Sequence, residues 1–421
     1  VDAFIAAAIF LVTYALIASD RIDKTLLALL GGLAMVVLRV IDQEEAFGAI
    51  DFNVIFLLAG MMALAGVLRR TGFFQWVAIR SVKVAGGEPF RLLIVLSVVT
   101  ALLSAFLDNV TTVVLIAPVT LYIATVLRVS PLPFLISEIL ASNIGGTATL
   151  IGDPPNILIG SAAGLDFAAF LVNMAPPAIA SFLAFVVTVR FVFRHDIEIH
   201  ADVRDAVLAL DEREVISDPR LLRLSVVVIG LTIVGFLLHG VLGYEPATIA
   251  LLGATVLVLL ARLSPEEVLR EIEWSTLFFF VGLFMLVHGI VHVGIIEGLA
   301  TGLFEVTGGD ATVASIGLLW LSGIASAIVD NIPYTATMIP LVEQLGRSGI
   351  PAEPLWWSLA LGACLGGNAT IIGASANVVV ANLAGRAGHP IGFRTFFRYG
   401  AIVVAESLVI ASAWVWLRYL A

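Results

Sequence analysis

Charge is what this chain has least of. Only 13% of its 421 residues are Asp, Glu, Lys or Arg, whereas soluble domains carry about 25%. With 60% of residues apolar and a mean hydropathy of +1.07, most side chains must face lipid or one another. That composition excludes a soluble enzyme and implies an all-α polytopic membrane protein. At about 20 residues per span there is room for on the order of ten crossings. Basic residues are the scarcer sign. Twenty-two Lys and Arg stand against 32 Asp and Glu, a net charge of -10, which excludes a polybasic nucleic-acid or anionic-lipid surface. Cysteine is nearly absent, and Cys364 alone supports neither a disulfide framework nor a cysteine-built metal site. Among the six histidines only His288 and His292 stand four apart in an apolar run, and they lack the glutamate of a zincin motif. No cofactor is expected. The chain opens at Val1 rather than Met, which leaves room for an upstream start and a short targeting segment.

Apolar runs at 3–19, 25–41 and 52–68 are separated by Ser19-Asp20-Arg21 and by Asp42-Gln43-Glu44-Glu45, and each reads as a spanning helix. Residues 69–88 mix Arg69, Arg70, Arg80 and Lys83 with Phe73, Phe74, Trp76 and Val77, the composition of an amphipathic helix at the interface. The run from 90 to 128 is cut near its middle by Asp108-Asn109, which predicts a re-entrant hairpin. The run from 131 is broken at Asn143–Thr149 and again at Gly152-Asp153-Pro154-Pro155-Asn156, the pattern of a discontinuous helix. Residues 195–220 are strongly hydrophilic and read as a linker between a first unit, 1–194, and a second, 221–421. The arginines around the linker (Arg190, Arg194, Arg204, Arg213, Arg220, Arg223) favour a cytoplasmic position.

The two units repeat each other. Leu29-Leu30-Gly31 recurs as Leu251-Leu252-Gly253, an offset of 222 residues. The same offset carries Gly60 onto Gly282, Gly72 onto Gly294, Asp108-Asn109 onto Asp330-Asn331 and Pro118 onto Pro340. After one deletion, Gly145-Gly146-Thr147-Ala148-Thr149 lies on Gly366-Gly367-Asn368-Ala369-Thr370, and Asp153-Pro154-Pro155-Asn156 on Ala374-Ser375-Ala376-Asn377. Five spans plus one hairpin per unit is an odd number of crossings, so the second unit is inserted upside down. The expected fold is two inverted repeats, each about five transmembrane helices plus a re-entrant hairpin, with discontinuous helices at the midplane. Such paired interruptions point to the substrate site of a secondary transporter.

A carboxylate in the middle of an apolar run costs about 2.5–3.5 kcal/mol even on the milder insertion scales. Asp108 and Asp330 therefore need a compensating role: binding a cation, exchanging a proton, or capping the helix that follows. Asn109, Thr111 and Asn331 supply oriented polar contacts beside them, and sodium is the metal that Asp108, Asn109, Asp330 and Asn331 could hold. The broken segments add Asn143, Gly146, Thr147, Thr149, Asp153 and Asn156 in the first repeat. They add Gly367, Asn368, Thr370, Ser375 and Asn377 in the second. These offer oxygen ligands for a cation or helix N-termini for an anion; for the glycines, close helix packing is an equally good account. Glu138, five residues before Asn143, is a further candidate for proton coupling, and Glu297 and Glu406 also interrupt apolar runs.

These motifs resemble the ion transporter superfamily, most of all its arsenite permease (ArsB), NhaD sodium/proton antiporter and pigmentation P-protein branch. The resemblance covers nearly the whole chain. It implies a dimerising scaffold and elevator-like movement of a transport unit. In the distantly similar dicarboxylate/sodium symporters the hairpin tips carry Ser-Asn-Thr; Asp108 and Asp330 at the serine positions point away from a carboxylate substrate. The expected function is proton-coupled export of arsenite or sodium by an integral protein of a prokaryotic inner membrane, with H+ or Na+ as the coupling ion. Sodium-coupled anion uptake and an ion channel are the alternatives. An intramembrane aspartyl protease is disfavoured, because neither Asp lies in a Gly-x-Gly-Asp signature.

Overall fold

The computed structural model describes residues 2–19, 21–86, 88–192, 212 and 214–421. Most of the hydrophilic linker expected at 195–220 therefore lies outside the described residues. Within them the chain forms twenty α-helices and no strand. The first half runs α1 (Asp2–Ala18), α2 (Lys24–Val37), α3 (Gln43–Gly48), α4 (Phe52–Arg70), α5 (Phe73–Val84), α6 (Pro89–Phe106), α7 (Asn109–Leu127), α8 (Leu132–Thr147), α9 (Pro154–Ala163) and α10 (Phe167–Val192). The second half runs α11 (Pro219–Leu242), α12 (Pro246–Ala261), α13 (Pro265–Leu269), α14 (Trp274–His292), α15 (Ile295–Thr307), α16 (Ala311–Ser326), α17 (Asn331–Arg347), α18 (Ala352–Gly366), α19 (Ser375–Arg386) and α20 (Phe393–Val415).

The halves correspond helix for helix, down to the short α3 and α13 and the amphipathic pair α5 and α15. Each half contains a helical hairpin (α6–α7, α16–α17) followed by a helix broken near its middle (α8/α9, α18/α19). Short polar residues set the starts. Asp23, Asp51, Asp218 and Asp310 each accept hydrogen bonds from the first free backbone amides of the helix that follows. Two boundaries differ from the sequence reading. The helix α11 begins at Pro219, capped by Asp218, inside the linker expected to reach 220. The run 25–41 ends as a helix at Val37, because Arg39 turns into the left-handed region (φ 58°) and Asp42 opens α3 through a capping box with Glu45. Seven of the described helices are long and apolar enough to cross a membrane; α1, α2, α12 and α16 are apolar but shorter.

Two sets of helices pack together. In one, α2 lies along α14 and α4 along α12, with α1 and α11 outside them. This explains why Gly60 recurs as Gly282. A Cβ on Gly282 would stand 2.4 Å from the backbone of Ala28, and one on Gly60 would stand 2.7 Å from the backbone of Ala250, so both crossings are closed by the same small-residue contact. Large apolar side chains such as Leu11, Leu30, Leu231 and Leu259 point outward from this set, as lipid-facing residues should. In the other set, α6 packs on α8, α16 on α18, α10 on α20, and α8 meets α18 at the centre. Every residue from Pro133 to Thr147 and from Pro354 to Gly366 is buried, so the broken helices are the innermost elements.

Candidate ion-binding site

The sequence places polar residues where helices are interrupted, and the fold brings all four interruptions together. Asp108 and Asp330 sit at the two hairpin tips, and capping holds at both. Asp108 accepts from the Thr111 amide at 2.9 Å and opens α7; Asp330 accepts from the Ile332 amide at 3.1 Å and opens α17. The tips reach the centre through their asparagines. Asn109 Nδ2 donates to Asp153 Oδ1 at 3.2 Å, and Asn331 Nδ2 donates to Asp153 Oδ1 and Oδ2 at 3.2 and 3.3 Å. Asp153, fully buried in the break between α8 and α9, is thus the carboxylate that both repeats share.

Asn143 extends the network across the repeat axis. Its Oδ1 accepts from Asn109 at 3.1 Å, and its Nδ2 donates to Asn368 Oδ1 and Asn377 Oδ1, both at 2.9 Å. Asn368 Nδ2 returns to the Leu140 carbonyl at 3.3 Å. The remaining predicted residues close the breaks. Asn156 Nδ2 spans the carbonyls of Gly146, Thr147 and Thr149, and Asn377 Nδ2 those of Gly367 and Thr370. These are the carbonyls that a helix end leaves without partners. Thr149 and Thr370 bond the carbonyls of Ala105 and Ala327, at the ends of α6 and α16, while Thr147 bonds the Asn143 carbonyl of its own helix. The glycines allow close helix approach. A Cβ on Gly145 would stand 2.2 Å from the Ala101 carbonyl oxygen, and one on Gly366 would stand 2.4 Å from that of Gly323.

Several contributors were not singled out from the sequence. Lys24, the first residue of α2, donates to Asp330 Oδ2 at 2.9 Å and to Ser375 Oγ. Ser375, itself one of the residues expected from the sequence, donates to Asp330 Oδ2 at 2.7 Å. Tyr14 on α1 bonds the Pro333 carbonyl at 2.8 Å and Thr337 at 2.6 Å. Ser104 and Ser326 brace their hairpins on the carbonyls of Ser142 and Ala363. The repeat register flags the two serines, since they share the 222-residue offset. Lys24 offers a different signal: it is one of only two lysines in the chain.

Three other candidates lie apart. Glu138 is buried between α7 and α8, where Thr120 donates to Oε1 at 2.5 Å and Oε2 has no protein partner. Glu406 accepts from Thr188 at 2.6 Å across α10 and α20, and Glu297 is exposed on α15. His288 and His292 stand one turn apart on α14. Their rings are 6.4 Å apart, His292 faces Glu45 at 3.6 Å, and no group of three or more His, Cys, Asp or Glu among the described residues could hold a metal.

Two repeat-related cavities flank the network. One, of about 30 Å³, is lined by Gly66, Arg69, Thr111, Val114 and Glu273. Its counterpart, of about 250 Å³, is lined by Asp51, Phe284, His288, Ala336 and Glu343. Arg69 and Arg70 pair with Glu271, and Arg70 with Glu267, beside the small one. Arg70 and Glu267 correspond by the repeat offset to His292 and Glu45.

Comparison with known proteins places this architecture. The profile of the citrate transporter family (CitMHS) matches residues 14–362. An uncharacterized transporter of Mycobacterium tuberculosis is 47% identical over 99% of the chain and 98% of its own length. The 46 kDa membrane protein of Mycobacterium leprae is 45% identical over 99% of both. The P protein of Homo sapiens is 35% identical over 96% of the chain and 59% of its own length. Among solved structures, the YdaH transporter of Alcanivorax borkumensis superposes with a TM-score of 0.58 at 15% identity, covering 99% of this chain and 98% of that one.

Proposed function

The chain belongs to the CitMHS citrate transporter family of membrane transporters, and from that premise we propose that it is a proton-coupled antiporter exporting a small inorganic ion. The observation that carries this reading is Asp153, one buried carboxylate to which the asparagines of both hairpin tips donate. Asp108 and Asp330 stand at the same tips, so the site is acidic and suits a proton or a cation. Proton and ion occupy these carboxylates by turns, and mutual exclusion gives exchange. Sodium fits the oxygen-rich donor set of Asp, Asn and Thr. Arsenious acid, being neutral, avoids the acidic field and would use the asparagine amides, while the lone thiol of Cys364 gives little soft-ligand support.

The inner helix set carries both hairpins and both breaks, so an elevator-like displacement of that set against α1, α2, α4, α11, α12 and α14 would move the site as a unit. The outer set is then the natural surface for a homodimer in the inner membrane. The helix correspondence supports reading the chain as a first unit, 1–194, a linker, 195–220, and a second unit, 221–421.

The family's name favours a second reading, sodium-coupled uptake of a carboxylate such as citrate. Three aspartates at the hairpin tips and the central break speak against a free carboxylate anion. Purified protein in liposomes carrying a pH dye separates the two. Sodium, lithium or arsenite added under an imposed proton gradient is expected to move protons. Silence with all three, together with sodium-dependent citrate uptake, would replace antiport by symport.

A further inference from the structure

The two hairpin tips are equivalent by sequence but not by charge. Asp330 carries a counter-ion from outside its own helix set: Lys24 reaches from the start of α2 to Oδ2 at 2.9 Å, shares Ser375 with it, and lies 5.1 Å from the centre of the Phe279 ring. The contact has no equivalent at Asp108, because the repeat offset puts Pro246 at the position of Lys24 and Leu57 at that of Phe279. Around Asp330 the facing groups include the buried Asp153 carboxylate, which the neighbouring Asn331 holds. Tyr14 from α1 bonds the next turn at Pro333 and Thr337, Ser375 comes from α19, and Lys24 is the cation.

Lys24 and Asp330 belong to different helix sets. Lys24 is on the outer set with α14; Asp330 is on the inner set with the hairpins. If the inner set moves against the outer one, the pair must separate, and the Asp330 carboxylate cannot travel unbalanced through an apolar surround. Something must take the place of the ammonium. We infer that Lys24 and the transported cation are alternative counter-ions of Asp330, so that Lys24 holds this conformation when the site is empty of cation and is displaced when a cation loads. The inference rests on the proposed movement of the inner set and makes Lys24 a positioning residue that sets apparent cation affinity. It also accounts for the asymmetry of the repeats: one tip is held by an internal cation, and the other is free to take its ion directly.

Two measurements test it, one of them independent of the transported ion. In liposomes, Lys24→Gln is expected to lower the apparent KM for sodium several-fold with a smaller change in maximal rate, because the internal competitor is gone. Lys24→Arg, which keeps the charge, should stay near the parent value. In purified protein, cysteines replacing Tyr14 and Thr337 are bridged by a short bis-methanethiosulfonate only while α1 and α17 are together. Bridging is expected to fall several-fold when Lys24→Gln is added and to persist with Lys24→Arg. An unchanged bridging yield in Lys24→Gln overturns the inference whatever the substrate. A parent protein in which no ion moves protons overturns antiport, and the bridging yield still decides the role of Lys24.

Discussion

Asp153 accepts from both hairpin tips, and substitutions there separate its charge from its hydrogen bonding. In Asp153→Asn one carbonyl oxygen remains for Asn109 or Asn331, so the fold is expected to survive with a loss below about 1 kcal/mol. A hydrogen bond to a charged group contributes about 1.5–3 kcal/mol, so cation affinity should fall about 10- to 100-fold, measured as exchange in liposomes. Asp153→Ala goes further and copies Ala374, its repeat partner. Asn331 then loses its acceptor, an unsatisfied buried donor costing about 1–3 kcal/mol, which thermal unfolding in detergent would register. Equal exchange in Asp153→Asn and the parent would remove Asp153 from the coupling site. The asymmetry that Asp153 brings to the centre was legible in the sequence, because a carboxylate facing an alanine across a repeat breaks the pattern at a place where pattern is otherwise kept. The partnership of Lys24 with Asp330 was not legible. A lysine at the start of a helix near Asp20 and Arg21 reads as an interface residue, and nothing in one dimension says which of two equivalent aspartates it will reach.

At the scale of the element, the breaks are held open by stitching rather than by weak helix propensity. Asn156 and Asn377 satisfy the free carbonyls, Thr149 and Thr370 tie each break to the arm before the hairpin tip, and glycines let the arm approach. Repeat spacing made these residue types visible, but their partners are backbone atoms, and backbone leaves no trace in sequence. Gly145→Ala and Gly366→Ala are therefore expected to destabilise by about 1–3 kcal/mol through overpacking. Gly298→Ala on α15, where a Cβ meets nothing within 4 Å, should be neutral or stabilising. If all three behave alike in thermal unfolding, close packing is not what the repeated glycines are for. The amphipathic helix α5 offers an element-scale test by pH. Its Lys83, with Arg80, pairs with Glu212, and the hydrogen bond from Lys83 holds the Glu212 carboxyl below its ordinary value. A depressed carboxylate stabilises docking above the unfolded pKa of about 4.3 and loses that contribution as pH falls through the lower folded value. Exchange protection of the Ser217 amide, which donates to the Thr71 carbonyl at 3.1 Å, should accordingly hold at neutral pH and drop only in strong acid, after correction for intrinsic exchange.

For the whole molecule, the inverted repeat puts equivalent residues in two different surroundings within one structure. The cavity beside α7 has about 30 Å³ and its counterpart beside α17 about 250 Å³, so positions equivalent in sequence border spaces of different size. The ion pairs differ in the same sense. Arg70 meets Glu267 at 3.0 Å and Glu271 at 2.9 Å beside the small cavity. Beside the large one the corresponding groups are His292 and Glu45, 3.6 Å apart, with Ala49 in place of Glu271. Exposed pairs contribute only about 0–1 kcal/mol each, but Glu271 is largely covered and is shared by two arginines, which makes it the group most able to bias the two ends. Cysteines at Met62 and Phe284, repeat-equivalent positions lining the two cavities, the first buried and the second half-buried, turn this into an experiment. Phe284→Cys should react with a small methanethiosulfonate faster than Met62→Cys in the resting protein. Adding Glu271→Ala, which gives the small cavity the residue already present at the large one, should raise the reactivity of Met62→Cys and lower that of Phe284→Cys together, because in the proposed movement one displacement opens the first cavity as it closes the second. Independent changes at the two positions would mean that the cavities open separately, and the molecule would then behave as a pore with two gates rather than as a carrier.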